Sequence, residues 1–228
     1  MRRISLLVSL MVALTCCASA SLPTHPNDRE WNAILADYQW LETLRKALPA
    51  TPPNASRKEQ IQRMLANLQK IEPAYVAFMD KLREYYLRTG DPRAAPVQAR
   101  EKTMLGDQYL TLSRYDRAIE LYREALVFTP NESGITERIA GAETRRFVSM
   151  NAFSAIRPGM TETDASKLVG YPREDWIKQV VQNNRAYSLW IYPRADGGAA
   201  AVYFDNGVVY HTNWNAAVPP AAPSNPGK

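Results

Sequence analysis

The sequence predicts an α+β protein, with a helical first part followed by a small helix-plus-antiparallel-sheet domain. Three observations carry that expectation. Between residues 28 and 153, apolar side chains recur every three or four positions. After residue 176 the period shortens to two, in four short runs rich in Val, Ile, Tyr and Trp. Turn residues punctuate those runs: Asn183-Asn184 after the first, and Asp205-Asn206-Gly207, a strong hairpin signal, after the third.

Residues 28–48 read as the first helix, because Trp31, Ile34, Leu35, Tyr38, Leu41, Leu44 and Leu48 fall on one face. Pro49, Pro52 and Pro53 end it. Asn54 or Ser56 is positioned to cap a second helix running to about Ile71, with Ile61, Met64, Leu65 and Leu68 as its apolar face. Pro73 is expected to break or restart that helix. A third helix then carries Tyr75, Phe78, Met79, Leu82, Tyr85 and Tyr86 to a stop at Gly90. A later helix, 133–153, places Ile135, Ile139, Ala142, Phe147 and Val148 to cover the end of the helical part. Thr161 and Asp164 form a capping box for a short helix, 162–169, stopped by Gly170 and Pro172. Strands are expected at 176–182, 186–192, 200–204 and 208–214, followed by a Pro/Ala-rich tail, 215–228. The expected domains are therefore a leader (1–20), a helical domain (28–153), an α+β domain (154–214) and the tail.

The leader is read from residues 1–20. Arg2 and Arg3 precede an apolar stretch from Ile4 to Thr15, and Ala18-Ser19-Ala20 has the small-x-small form of a cleavage site. The stretch is too short to span a bilayer. Leu14-Thr15-Cys16-Cys17 leaves two routes open: cleavage after Ala20, which removes both cysteines, or acylation at Cys17. Export places the protein in the periplasm, or on the outer membrane if Cys17 is lipidated.

Composition narrows the function classes. The chain has 28 Lys+Arg against 23 Asp+Glu, a net charge of +5, and removal of the leader with Arg2 and Arg3 reduces the surplus to 3. That surplus does not argue for nucleic-acid binding. Two adjacent cysteines rule out a four-cysteine zinc site and a disulfide framework. The two histidines, His25 and His211, are far apart in sequence, and no nucleophile elbow, phosphate-binding loop, metalloprotease helix or calcium loop is present. The sequence predicts no enzyme, no cofactor and no metal.

Residues 99–132 carry the strongest pattern. Leu105, Gly106, Tyr109, Tyr115, Ala118, Tyr122, Ala125 and Pro130 occupy positions 7, 8, 11, 17, 20, 24, 27 and 32 of a window beginning at Ala99. The small residues allow two helices to cross closely, the tyrosines fill the space around the crossing, and Pro130 closes the second helix. This spacing resembles the 34-residue tetratricopeptide repeat. The resemblance implies a binding face on the first helix of the hairpin, here Arg100, Thr103, Asp107 and Leu110. The family's carboxylate-clamp pattern of Lys and Asn is not matched by Thr103 and Asp107.

Farther on, Gly159-Met160-Thr161, then Ala165 and Leu168, Gly170 and Pro172, and Val202-x-Phe204-x-x-Gly207-Val208 follow in order. This pattern, over about 154–214, resembles the outer-membrane assembly lipoprotein family (SmpA/OmlA/BamE) and the β-lactamase-inhibitor-like fold. By alternation, Ser188, Trp190 and Tyr192 share one sheet face, and Tyr187, Leu189 and Ile191 share the other. One aromatic set is expected to pack on the helix and the other to form an exposed strip, with Trp190 and Tyr192 as its candidate contact residues. The resulting expectation is an exported adaptor that binds protein partners in the cell envelope. The alternative is a periplasmic inhibitor or regulator acting through the last domain.

Overall fold

The computed structural model describes residues 25–217. The leader, Cys17 and residues 218–228 of the tail lie outside the described residues. Over the described range the protein is α+β, with seven α-helices followed by a four-stranded antiparallel sheet. Among the described residues, no helix is long and apolar enough to cross a membrane.

Helix α1 (Asp28–Lys46) buries Trp31, Ile34 and Leu41 against Phe78, Leu82 and Tyr85 of α2 (Arg57–Thr89). Ser56 and Glu59 form the capping box that starts α2, and Gly90, at φ +63°, ends it. The break expected at Pro73 does not occur; α2 runs through it as one helix of 33 residues. An interior proline costs about 3 kcal/mol. Ile71, Phe78 and Leu82, all buried, flank it within the same helix, and each contributes about 1.5–3 kcal/mol. Continuity therefore outweighs the lost hydrogen bond.

Helices α3 (Ala94–Thr111) and α4 (Tyr115–Phe128) form a hairpin. They touch so closely that a Cβ on Gly106 would lie 2.5 Å from Cε1 of Tyr122. Helix α5 (Ser133–Arg146) adds Ile135 to the cluster of Ala99, Ala118, Tyr122 and Ala125. The helix expected over 133–153 stops earlier than the periodicity implies. Phe147 is extended, and a separate turn of helix, α6 (Met150–Phe153), is capped by Ser149. Val148 and Phe153 do not cover the helical end; they pack in the core of the sheet. The Val148 N–H donates to the Pro193 carbonyl at 3.0 Å, which commits this segment to the sheet and draws the physical boundary back to about residue 147.

Helix α7 (Glu162–Val169) begins at the Thr161–Asp164 capping box and ends at Gly170. The strands β1 (Ile177–Gln182), β2 (Arg185–Pro193), β3 (Ala199–Asp205) and β4 (Val208–Ala216) lie in the order β1-β2-β3-β4. The last strand extends two residues into the expected tail. Asn183 and Asn184 both have positive φ, as do Asn206 and Gly207, the backbone that two-residue hairpins of right-handed twist require. One face of the sheet packs Trp190, Tyr192, Val202 and Phe204 against Phe153 and Ala165.

The α3–α4 crossing yields a stability prediction. Gly106→Ala forces a backbone-attached methyl into the Tyr122 ring and is expected to destabilise the protein by about 1–3 kcal/mol, read as a lower urea midpoint. Gly134→Ala, whose Cβ meets only side-chain ends at 3.5 Å or more, should leave the midpoint unchanged or raise it.

Candidate functional site

The four residues expected on the first helix of the hairpin all make intramolecular contacts. Arg100 lies over the Tyr38 ring, 5.7 Å from its centre, and its guanidinium is 3.7 Å from Glu42 of α1. Thr103 donates to the Ala99 carbonyl of its own helix at 2.8 Å. Asp107 accepts from the Tyr122 hydroxyl at 2.7 Å and from Arg138 Nε of α5 at 3.1 Å. Leu110 packs against the Ala99–Tyr122 cluster. Asp107 is thus a tie between three helices, and its carboxylate, with burial as the larger cause, raises the Tyr122 pKa above the ordinary tyrosine value.

The sheet corrects the expectation for Trp190 and Tyr192. They are only 2% and 4% exposed, respectively. Trp190 packs on Phe204 and Tyr171, and the Tyr192 hydroxyl donates to the Gly170 carbonyl at 2.9 Å. The aromatic strip lies on the opposite face, where Tyr210 meets Tyr187 and Tyr203, and Tyr203 also meets His211. Alternation separates the two sets in the sequence, but only the position of α7 and α6 decides which set is covered.

The two sheet edges differ. The outer edge of β4 is occupied: Gly159 N–H donates to Val209 O, Val209 N–H to Met160 O, and Glu162 N–H to Gly207 O, at 2.8–3.1 Å. Among the described residues, the edge of β1 has no neighbouring strand. The two-residue turn at Asn183-Asn184 makes Gln182↔Arg185 the closing hydrogen-bonded pair of the hairpin. By alternation, the backbone groups of Gln179 and Val181 point away from β2. Val180 is 58% exposed and Val181 78%, so this short edge shows apolar side chains on both faces. Edge strands are usually protected by charge, proline or a bulge; here Lys178 alone interrupts the apolar and amide side chains of Ile177–Gln182.

A second surface lies between α2 and α3. Leu65, Leu68, Ile71, Tyr75, Met104 and Tyr109 line a groove of about 320 Å³ that ends on Arg45 and Glu101. Glu101 is fully buried and receives both terminal nitrogens of Arg45, one at 2.9 Å. The sequence signalled the apolar residues of this groove as a helix face, but nothing in it revealed that α2 and α3 leave a gap there. The Tyr75 and Tyr38 hydroxyls are each pushed up to about 12, mainly by burial, with the Glu101 carboxylate adding to the effect. Their folded-state pKa values lie above the unfolded value of 10.0, so their stabilisation is complete below pH 10 and is lost as the pH climbs towards 12. The urea midpoint is expected to fall over that window as phenolate absorbance appears, and Tyr75→Phe should make the fall shallower.

Among the described residues, no group of three or more His, Cys, Asp or Glu side chains is placed to hold a metal ion. The chain matches no protein-family model and shows no significant similarity to a curated protein.

Proposed function

We propose that this protein is a non-catalytic adaptor of the bacterial cell envelope, which holds an extended segment of a protein partner as an added strand on β1. The observation that carries the reading is the edge strand itself, with backbone groups of Gln179 and Val181 directed outwards and Val180 and Val181 exposed. Strand addition draws affinity from main-chain hydrogen bonds and specificity from alternate side chains. The tyrosine strip of Tyr187, Tyr203 and Tyr210 continues the same surface and supplies rigid, amphipathic contact area. The leader-like residues 1–20 support an envelope location, and the helical part, with its repeat-like hairpin and the groove between α2 and α3, fits a scaffold that engages a second protein.

Val181→Pro removes an outward N–H without disturbing the bonds to β2, and Val180→Lys adds a charge to the edge. Both variants are expected to keep the wild-type melting temperature and to lose the partner recovered with the wild-type protein from envelope extracts. Val127→Lys, at an exposed position on α4, should retain it. Undiminished recovery with both β1 variants would overturn the reading. Intact mass of the exported chain is expected to begin at Ser21 for a diffusible adaptor or at an acylated Cys17 for a tethered one. A chain retained unprocessed in the cytoplasm would remove the envelope location.

A further inference from the structure

A cleft of about 210 Å³ opens where the α3–α4 turn, the end of α5, the residues after α7 and strand β2 meet. Its floor is apolar, formed by side chains that include Val148, Tyr171 and Ile191. Its walls carry five arginines, Arg114, Arg117, Arg145, Arg146 and Arg173, and a single carboxylate, Asp116. Three of these guanidiniums have internal partners: Arg146 pairs with Asp116, Arg117 with Glu120, and Arg173 with Asp175. Arg114 and Arg145 make no ion pair among the described residues. Arg145 donates its Nε to the Gly141 carbonyl of its own helix at 3.0 Å, which holds the chain in place and leaves its terminal nitrogens free.

Such an arrangement is unfavourable unless something offsets it. Like charges gathered in one small cleft repel one another, and most protein surfaces intersperse the two signs. Carboxylates on the same or the neighbouring helix or turn account for the three paired arginines and leave Arg114 and Arg145 unexplained. The walls are also fixed relative to one another. Ser113 Oγ donates to the Tyr171 carbonyl at 2.7 Å, Tyr192 is bonded to Gly170, and Val148 to Pro193. The cleft is therefore formed before any ligand arrives, and the cost of ordering it falls on folding and not on binding.

We propose that this cleft binds a dianionic phosphate group, with Arg114 and Arg145 as its principal partners. A carboxylate is satisfied by one guanidinium in a two-point contact. Two unpaired guanidiniums, one from the start of α4 and one from the end of α5, match a group with nearly two charges and three peripheral oxygens. The same chemistry is offered by a free phosphate or phosphomonoester and by the headgroup of phosphatidic acid. The inference does not depend on the strand-addition reading, because no β1 residue lines the cleft.

The test is thermal unfolding of the purified protein in increasing inorganic phosphate, at an ionic strength held constant with chloride. A saturable rise in melting temperature is expected. Arg114→Gln and Arg145→Gln should each weaken the fitted affinity by about tenfold, the scale of one lost charge-assisted contact. Asp116→Asn should tighten it, because Arg146 is then released to the ligand. Arg63→Gln and Lys70→Gln, which remove the same charge from α2 away from the cleft, should leave it unchanged. Equal weakening by the α2 variants would mean diffuse attraction only and would overturn the proposal. If phosphate does no more than chloride, cosedimentation with phosphatidic acid vesicles that is lost in Arg114→Gln and Arg145→Gln assigns the group to a lipid headgroup. Failure of both arms removes the site.

Discussion

The architecture of the helical part depends on one contact, the close approach of the Tyr122 ring to Gly106. A side chain at Gly106 would force the ring or the helix to shift, because a Cβ there would meet the ring at 2.5 Å. The contact sets the separation and angle of α3 and α4 together. It also aims the Tyr122 hydroxyl at Asp107, whose carboxylate reaches Arg138 of the next helix. A glycine, a tyrosine and an aspartate thus set the placement of three helices. Ala118 and Ala125 are small for the same reason, and both are fully buried beside the ring.

Charge does the corresponding work where α1 and α2 join α3. Glu101 is fully buried, with Arg45 of α1 as its partner. Asp91 is buried at the α2–α3 turn, where it accepts from Tyr85 and Arg93. The Arg93 guanidinium, more than the burial that opposes it, holds its carboxyl well below the usual carboxylate range. Buried pairs of this kind add little net stability over an apolar replacement, but an unpartnered buried charge is costly. Their effect is to penalise every other way of stacking these helices. Arg93 also reaches Asp28 of α1 and covers Trp31, so the start of the chain is fastened at the same point.

The sheet is joined to this frame through a few residues around Tyr171. Its ring packs edge-on against Trp190, its carbonyl accepts from Ser113, and Arg57 of α2 lies over its face. Because α6 and α7 occupy the inner face of the sheet, and residues 159–162 close the outer edge of β4, the outward backbone groups lie on β1 and the aromatic strip lies on the opposite face. The open edge and the arginine-lined cleft follow from the same arrangement: α2 approaches β1 only near Ile177 and Gln179 and adds no strand to it, and the cleft is the space left where the hairpin meets β2.

Local chemistry was legible in the sequence wherever a residue acts through its own backbone or its near neighbours. The capping boxes at Ser56 and Thr161, the stops at Gly90 and Gly170, the two tight hairpins and the period of each strand belong to this class, as does the spacing of Gly106 from Tyr122. The α+β class followed from these alone. What the sequence could not reveal depends on contacts between distant segments. Pro73 reads as a helix breaker until the burial on either side of it is known, and Phe147 and Val148 read as helix until Pro193 offers a hydrogen bond to the chain leaving α5. Trp190 and Tyr192 alternate with Leu189 and Ile191 whichever face is covered, so only the docking of α6 and α7 separated core from surface. The five arginines of the cleft lie between residues 114 and 173, in segments with no common motif, and became one site only when the helical hairpin packed against the sheet.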